Sequence, residues 1–456
     1  MEKTFTKDFT RGPILMPLIK FGLPLFFANL LQIVYNMVDM AIVGNVCGPT
    51  GLSGVSIGGS VTDFFTVLVI GFSNAAQVII AQFLGARLKE KIGSFIGTFS
   101  ITLFIAAILN TGIALILRSR LLEWMNTPPE AFPEALNYTV MAMSGIIFVY
   151  GYNAVSSIMR GLGDSKRPFI FIAIAAVLNV GLDLLFVAVF GLGAFGAALA
   201  TVISQAVSFL CALIYLARNK ERLGFTMTRS DLRIDKELFF TLIKLGIPMA
   251  LRSAAVSFSK LLTNSFVNSY GLAVATVSGI GVKLNQIGNL VANSLNTAGS
   301  TMVGQNIGAE TYNRVPKIML SVWGVNLSII SVLAATLIIF PRFVFGIFTS
   351  DESIMTVAME FVPVAVLAFY ACGLRSGANA LTNGSGNFGV NLAVALLDAI
   401  VVRIGLSLLL GLVFGMGYKG FWYGDACSAF MPFLIGGIFY LTGAWKTNKH
   451  IVKNKR

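Results

Sequence analysis

Residues 178–186 read L-N-V-G-L-D-L-L-F and lie in the middle of a long apolar segment. Asn179 and Asp183 are four residues apart, so on a helix they share one face, one turn apart. A carboxylate between two apolar stretches costs about 3 kcal/mol to insert into a membrane, so it faces a protein interior or a water-filled cavity. The stretch therefore predicts either a hydrogen bond between packed helices or a site that binds a proton or another cation.

The composition around this stretch is that of a membrane protein. The chain has 456 residues, of which 56% are hydrophobic and 12% charged, whereas soluble domains carry about 25% charged residues. Apolar runs of about twenty residues recur along the whole chain, which predicts an all-α polytopic membrane protein. We expect twelve transmembrane helices, near residues 14–43, 52–82, 93–117, 134–158, 168–190, 195–217, 238–265, 274–303, 317–340, 357–381, 391–413 and 420–443.

The positive charges predict the orientation of the chain. The net charge is +13, but the lysines and arginines cluster in short loops, so the charge indicates topology and not nucleic-acid binding. The termini and the even-numbered loops are basic, and the odd-numbered loops hold only Arg118, Arg120, Arg342 and Lys419. Because basic loops stay on the cytoplasmic side, we expect both termini in the cytoplasm and the protein in the cytoplasmic (inner) membrane.

The chain also repeats itself. L-I-K-F-G-L-P-L at 18–25 returns as L-I-K-L-G-I-P-M at 242–249. A-Q-F-L-G-A at 81–86 returns as G-Q-N-I-G-A at 304–309. N-V-G-L-D-L-L-F-V-A-V-F-G-L-G at 179–193 returns as R-I-G-L-S-L-L-L-G-L-V-F-G-M-G at 403–417, and the offset stays at 223 or 224 residues.

These repeats predict two parallel six-helix bundles, since six spans return the chain to the side where it started. We expect an N-terminal lobe at residues 1–217, a basic cytoplasmic linker at 218–237, a C-terminal lobe at 238–443 and a basic cytoplasmic tail at 444–456. Such repeats are typical of transporters, which rock one half against the other around a central site.

Several motifs resemble the MATE (multidrug and toxic compound extrusion) family of cation-coupled exporters, in particular its bacterial DinF-like branch. The match rests on the repeat, on Pro24 and Pro248, on Val38-Asp39 with Val43-Gly44, and on the Q-x-x-G-A ends of spans two and eight. The resemblance implies a twelve-helix MATE-like fold and a monomer. It also implies a coupling site for H⁺ or Na⁺ in the N-terminal lobe, at Asp39, Asn179, Asp183 and Thr201.

Residue chemistry is compatible with that site. Two nearby buried carboxylates, Asp39 and Asp183, lose hydration and repel each other, and a shared proton or a bound Na⁺ relieves both penalties. Carboxylate, amide and hydroxyl oxygens suit a hard cation. Thr201 enters only through the resemblance, because a threonine in a helix often bonds to its own turn. Three further polar residues could extend the network or simply satisfy the core: Asn36, Tyr138 and Asn153.

The C-terminal lobe departs from the branch of the family that has carboxylates in helices seven and ten. Its spans contain Arg252, Lys260, Arg375 and Arg403, and at the repeat-related positions Arg403 and Ser407 replace Asn179 and Asp183. These cations either pair with Asp398 and Asp425 or attract anionic groups of a substrate. Asp398 precedes Arg403 by five residues, so we do not expect them to form a regular helical pair.

The sequence therefore predicts an antiporter, driven by H⁺ or Na⁺, that exports amphipathic and often cationic compounds across the membrane. The alternative is a flippase for lipid-linked saccharides on a related fold. We expect no enzyme activity, since no hydrolase, nucleotide-binding or metalloprotease motif is present. We expect no cofactor and no metal other than Na⁺ at Asp39, Asn179, Asp183 and Thr201. The expected partners are small amphipathic molecules and the lipid bilayer, without nucleic acid.

Overall fold

A computed structural model describes residues 6–447 and residue 451. Within these residues the chain is helical and contains no β-strand. Short helical turns also occur at Arg229–Asp231, Tyr312–Arg314, Pro341–Gly346 and Ala444–Thr447. The main helices are α1 (Leu15–Gly85), α2 (Lys89–Trp124), α3 (Phe132–Ser144), α4 (Ile146–Gly161), α5 (Lys166–Val189), α6 (Gly193–Arg218), α7 (Lys236–Asn268), α8 (Leu272–Gly308), α9 (Val315–Ile339), α10 (Glu352–Ser385), α11 (Phe388–Val413) and α12 (Tyr418–Leu441).

The predicted twelve spans are accounted for by these helices. Over the described part of the chain, nine helices are long and apolar enough to cross a membrane, and α3 with α4 makes one further span bent by 47°. α1 is two helices joined at Gly48, whose φ of 68° and ψ of −164° only glycine adopts readily. α8, at 37 residues, is not one of these nine helices. Each of the twelve predicted spans nevertheless coincides with a helix of the described chain.

The chain folds into two compact units. The first contains Leu23–Gly246 and the short segment that ends at Asp8, and the second contains Phe9–Gly22 and the chain from Ile247 onward. In the second unit the N-terminal segment is held by the end of α8: the Phe9 N–H donates to Gln305 Oε1 at 2.9 Å, and Asn306 Nδ2 donates to the Phe9 carbonyl at 3.1 Å. The Q-x-x-G-A motif at residue 305 therefore anchors a distant part of the chain.

Small residues allow the helices of each unit to approach closely. In the second unit a Cβ added to Gly424 on α12 would lie 2.5 Å from the Ser407 Cα on α11, so no side chain fits there. In the first unit α6 presents a face of buried small residues, including Ala194, Ala197 and Ala198. This face lets the polar residues of α5 and α6 come within reach of each other.

The predicted linker packs onto the first unit. Asp231 accepts hydrogen bonds from Ser94 Oγ on α2 at 2.7 Å and from the Thr228 N–H at 2.8 Å. These bonds, Ser94 first, lower the pKa of Asp231 below its ordinary value. Gly97 on α2 lies so close to the Asp231 carbonyl that a Cβ there would be 1.9 Å from its oxygen. The linker is thus fixed to α2 and is not a free tether.

Candidate functional site

The polar residues of α5 face α6 inside the first unit. Asn179 is 2% exposed and Asp183 is 0% exposed. Asn179 Nδ2 lies 3.4 Å from Thr201 Oγ1 on α6, at the long end of the hydrogen-bond range. After Asp183 the helix continues as a π-helical turn over Leu184–Val189, and such turns often occur at functional sites.

Asp39 of α1 belongs to the same centre. It is 8% exposed, and its charge interacts with that of Asp183. Four oxygens in this group accept no hydrogen bond from any residue that the structure describes: Asp39 Oδ1, Asn179 Oδ1, Asp183 Oδ1 and Asp183 Oδ2. Buried polar atoms are normally satisfied, so this concentration of oxygens without donors marks a site suited to a positive ion.

Tyr138 of α3 lies at the edge of this centre. It is buried with Val43, Val55 and Val187 in one apolar cluster, and its hydroxyl interacts electrostatically with both Asp39 and Asp183. The other two residues considered for the network differ from it. Asn36 is exposed, and Asn153 Nδ2 donates to the Val149 carbonyl of its own helix at 2.9 Å.

Sequence reasoning missed Gln205 and Tyr35. Gln205 is buried one turn after Thr201, and its Oε1 accepts no hydrogen bond within the described chain. The side chain of Tyr35 interacts with Gln205 and with Asp39, which links α1 and α6 beside the carboxylates. The four-residue spacing from Thr201 to Gln205 was the signal that could have identified it.

The cations of the second unit partly pair with carboxylates. Arg403 NH2 lies 2.9 Å from Asp398 Oδ1, and Arg403 NH1 forms a very short contact with Asp425. Arg252 donates to Asn379 Oδ1 at 3.1 Å and lies 3.9 Å from Asp398. Lys260 interacts electrostatically with Asp425. Arg403 therefore lies in contact with both carboxylates, Asp398 and Asp425.

Asp398 and Arg403 form an ion pair, as the salt-bridge interpretation of the C-terminal cations predicted, although five residues separate them along the chain. Residues Leu397–Val402 form a π-helical turn on α11, in which residues five apart lie over one another. This turn brings the two side chains onto one face. A second π turn, Leu409–Val413, follows Ser407, as Leu184–Val189 follows Asp183 in the first unit. The two halves therefore share backbone geometry at positions whose chemistry has diverged.

The family model MatE matches the chain twice, at residues 24–185 and 248–409. The chain belongs to the MatE family. The two matches begin 224 residues apart, which is the offset of the sequence repeats, and the predicted MATE-like fold of two parallel repeats is confirmed. This MatE protein is thus a multi-pass membrane protein of a transporter family, which is not an enzyme class.

Relatives of this MatE protein match it over nearly its whole length. The probable multidrug resistance protein YpnP of Bacillus subtilis (strain 168) is 30% identical over 97% of this chain and 98% of its own. The probable multidrug resistance protein YoeA of the same organism is 28% identical over 98% and 97%. A solved structure, titled as the outward-facing conformation of a multidrug resistance MATE family transporter of the MOP superfamily, has a TM-score of 0.89 at 21% identity and covers 98% of this chain and 100% of that one.

Proposed function

We propose that this chain is a multidrug efflux antiporter that exports amphipathic compounds, cationic dyes among them, in exchange for H⁺ or Na⁺. Membership of the MatE family and the multidrug resistance names of the bacterial relatives support export. The coupling residues are Asp39 and Asp183, with Asn179 and Thr201 as neutral ligands. The protein acts as a monomer in the cytoplasmic membrane.

The main support for this proposal is the environment of Asp183. Its side chain is completely buried, and neither carboxylate oxygen has a hydrogen-bond donor among the described residues. An ionised carboxylate in that setting costs several kcal/mol unless a positive charge compensates it. A proton neutralises it directly, and Na⁺ would add the oxygens of Asp39, Asn179 and Thr201 as ligands.

The transport cycle follows from the neutralisation of Asp39 and Asp183 by the bound cation. In the outward-facing state the carboxylates take up H⁺ or Na⁺, which removes their mutual repulsion and changes how α1 and α5 pack. Substrate is released outward in that state. The cation is then discharged to the cytoplasm when the transporter faces inward, so the inward ion gradient drives export.

Dye efflux from proteoliposomes tests the proposal. Purified protein is reconstituted with entrapped ethidium, and efflux is followed under an imposed pH gradient and, separately, an imposed sodium gradient. We expect efflux that follows one of the gradients and stops when that gradient is collapsed by an ionophore. Efflux that follows neither gradient would contradict coupled antiport.

We further propose that both termini and the linker face the cytoplasm, from the asymmetry of the basic loops. In a cysteine-free background, Ser230→Cys in the linker should react with a membrane-impermeant maleimide only after cells are permeabilised. Glu130→Cys, between α2 and α3, should react in intact cells. The reverse pattern would invert the proposed topology.

A flippase for lipid-linked saccharides is the second candidate, and the excess of cations in the second unit favours it. A flippase of that kind would give no gradient-driven ethidium efflux in the assay above, whereas a multidrug antiporter would.

A further inference from the structure

The second unit holds more positive than negative charge within its helices. Four cations, Arg252, Lys260, Arg375 and Arg403, lie near two carboxylates, Asp398 and Asp425. Arg403 contacts both carboxylates, and Arg252 shares Asp398 with it. Over the described residues, neither Lys260 nor Arg375 has a carboxylate within 4 Å. Two cations thus lack a counterion of their own.

Both of these cations line open space in the second unit. One cavity has Lys260 and Asp425 on one side and apolar walls that include Phe361, Phe421 and Trp422. A smaller cavity is lined by Arg375 and Arg403. The two cavities share Lys260, Asn285 and Asp425 in their walls. An apolar compartment and a cationic compartment therefore adjoin at Lys260.

The polar groups at this junction are donors with free capacity. Lys260 forms no hydrogen bond with any described residue, so its ammonium group keeps three N–H donors for a ligand. The Arg375 NH2 group donates to Asn289 Oδ1, and the rest of its guanidinium remains available to the cavity. An ammonium beside a guanidinium is a typical arrangement for carboxylate or phosphate recognition. The two carboxylates beside these groups, Asp398 and Asp425, both contact Arg403, so they only partly offset the charge of Lys260 and Arg375.

We propose that this cavity binds an amphipathic organic anion. Its acid group, a carboxylate, sulfonate or phosphate, contacts Lys260 and Arg375, and its ring system packs against Trp422 and Phe361. The proposal names a substrate class and in that respect rests on the proposed export function. It complements the carboxylate centre of the first unit, which would hold the coupling cation.

Equilibrium binding in nanodiscs tests the site without any ion gradient. Carboxyfluorescein serves as the anionic probe, and rhodamine 6G, with the same xanthene ring system, serves as the cationic one. Lys260→Gln and Arg375→Gln should each weaken carboxyfluorescein binding about tenfold, which corresponds to about 1.4 kcal/mol, and leave rhodamine 6G binding unchanged. Lys260→Arg should retain affinity. Lys283→Gln, an exposed lysine on α8 outside both cavities, is the matched control.

The outcomes separate this proposal from the export function. Unchanged carboxyfluorescein affinity in a folded Lys260→Gln/Arg375→Gln variant, or no saturable binding to the wild type, would overturn the anion site whatever the efflux assay gives. Normal anion binding without gradient-driven efflux would support the anion site and contradict antiport. Carboxyfluorescein binding is also compared between nanodiscs of phosphatidylcholine alone and nanodiscs that contain phosphatidylglycerol. If the anionic lipid displaces the probe, the natural ligand of the site is a lipid headgroup. If binding is unchanged, the natural ligand is a soluble anion.

Discussion

Asp183→Asn is expected to abolish gradient-driven dye efflux from proteoliposomes. The amide has nearly the same shape as the carboxylate, so packing around this fully buried side chain is retained. It cannot take up a proton, and it offers no charge to Na⁺. One charge pair about 4 Å apart is worth about 4 kcal/mol at an effective dielectric constant of about 20, so ion affinity should fall by about a thousandfold. Initial efflux rates under the driving gradient measure the effect.

The matched control for this variant is Glu123→Gln, an exposed carboxylate at the end of α2 that undergoes the same chemical change. It should export at the wild-type rate. Asp183→Asn should unfold no more easily than the wild type, since it replaces a carboxylate whose oxygens have no donor in the described chain. Full efflux by a folded Asp183→Asn protein would remove this residue from the coupling site.

Arg403→Met is expected to cause a large loss of stability. Arg403 is almost completely buried and contacts both Asp398 and Asp425. Removing Arg403 leaves Asp425 without its ion-pair partner and Asp398 with only Arg252 at 3.9 Å, and breaking a buried ion pair costs about 3–5 kcal/mol. Methionine fills much of the same volume, so the loss of stability comes from the missing charge more than from an empty cavity. Thermal unfolding of the purified protein in detergent measures it.

Two comparisons make this result specific. Arg342→Met breaks the pair with Glu352, whose side chains are 71% and 74% exposed, and should cost at most about 1 kcal/mol. Adding Asp425→Asn to Arg403→Met should recover part of the loss, because it removes a carboxylate that has lost its ion-pair partner, while Asp398 keeps Arg252 at 3.9 Å. A protein as stable with Arg403→Met as without it would show that the contacts at Arg403 do not stabilise the unit.

The burial of Asn179 and Asp183 on one helix face was predictable because it depends on one helix and on composition. The four-residue spacing of Asn179 and Asp183 places them on one face of any helix, and the apolar flanks of Asp183 require it to face the protein interior. The prediction that Asp39 of α1 and Thr201 of α6 lie beside Asp183 came from the family resemblance. Gln205 and Tyr35 were missed, because the contacts of Tyr35 with Gln205 and Asp39 depend on which helices lie side by side.

The sequence by itself determined the helical membrane character, the repeat and the family, because hydropathy and a 224-residue offset are properties of the chain alone. Only the tertiary structure decided which charges meet in the second unit. The π turn at Leu397–Val402 brings Asp398 to Arg403, and the packing of α11 on α12 adds Asp425. Lys260 and Arg375 are left beside a cavity because charge pairing depends on which helices pack together, and spacing along the chain does not contain that information.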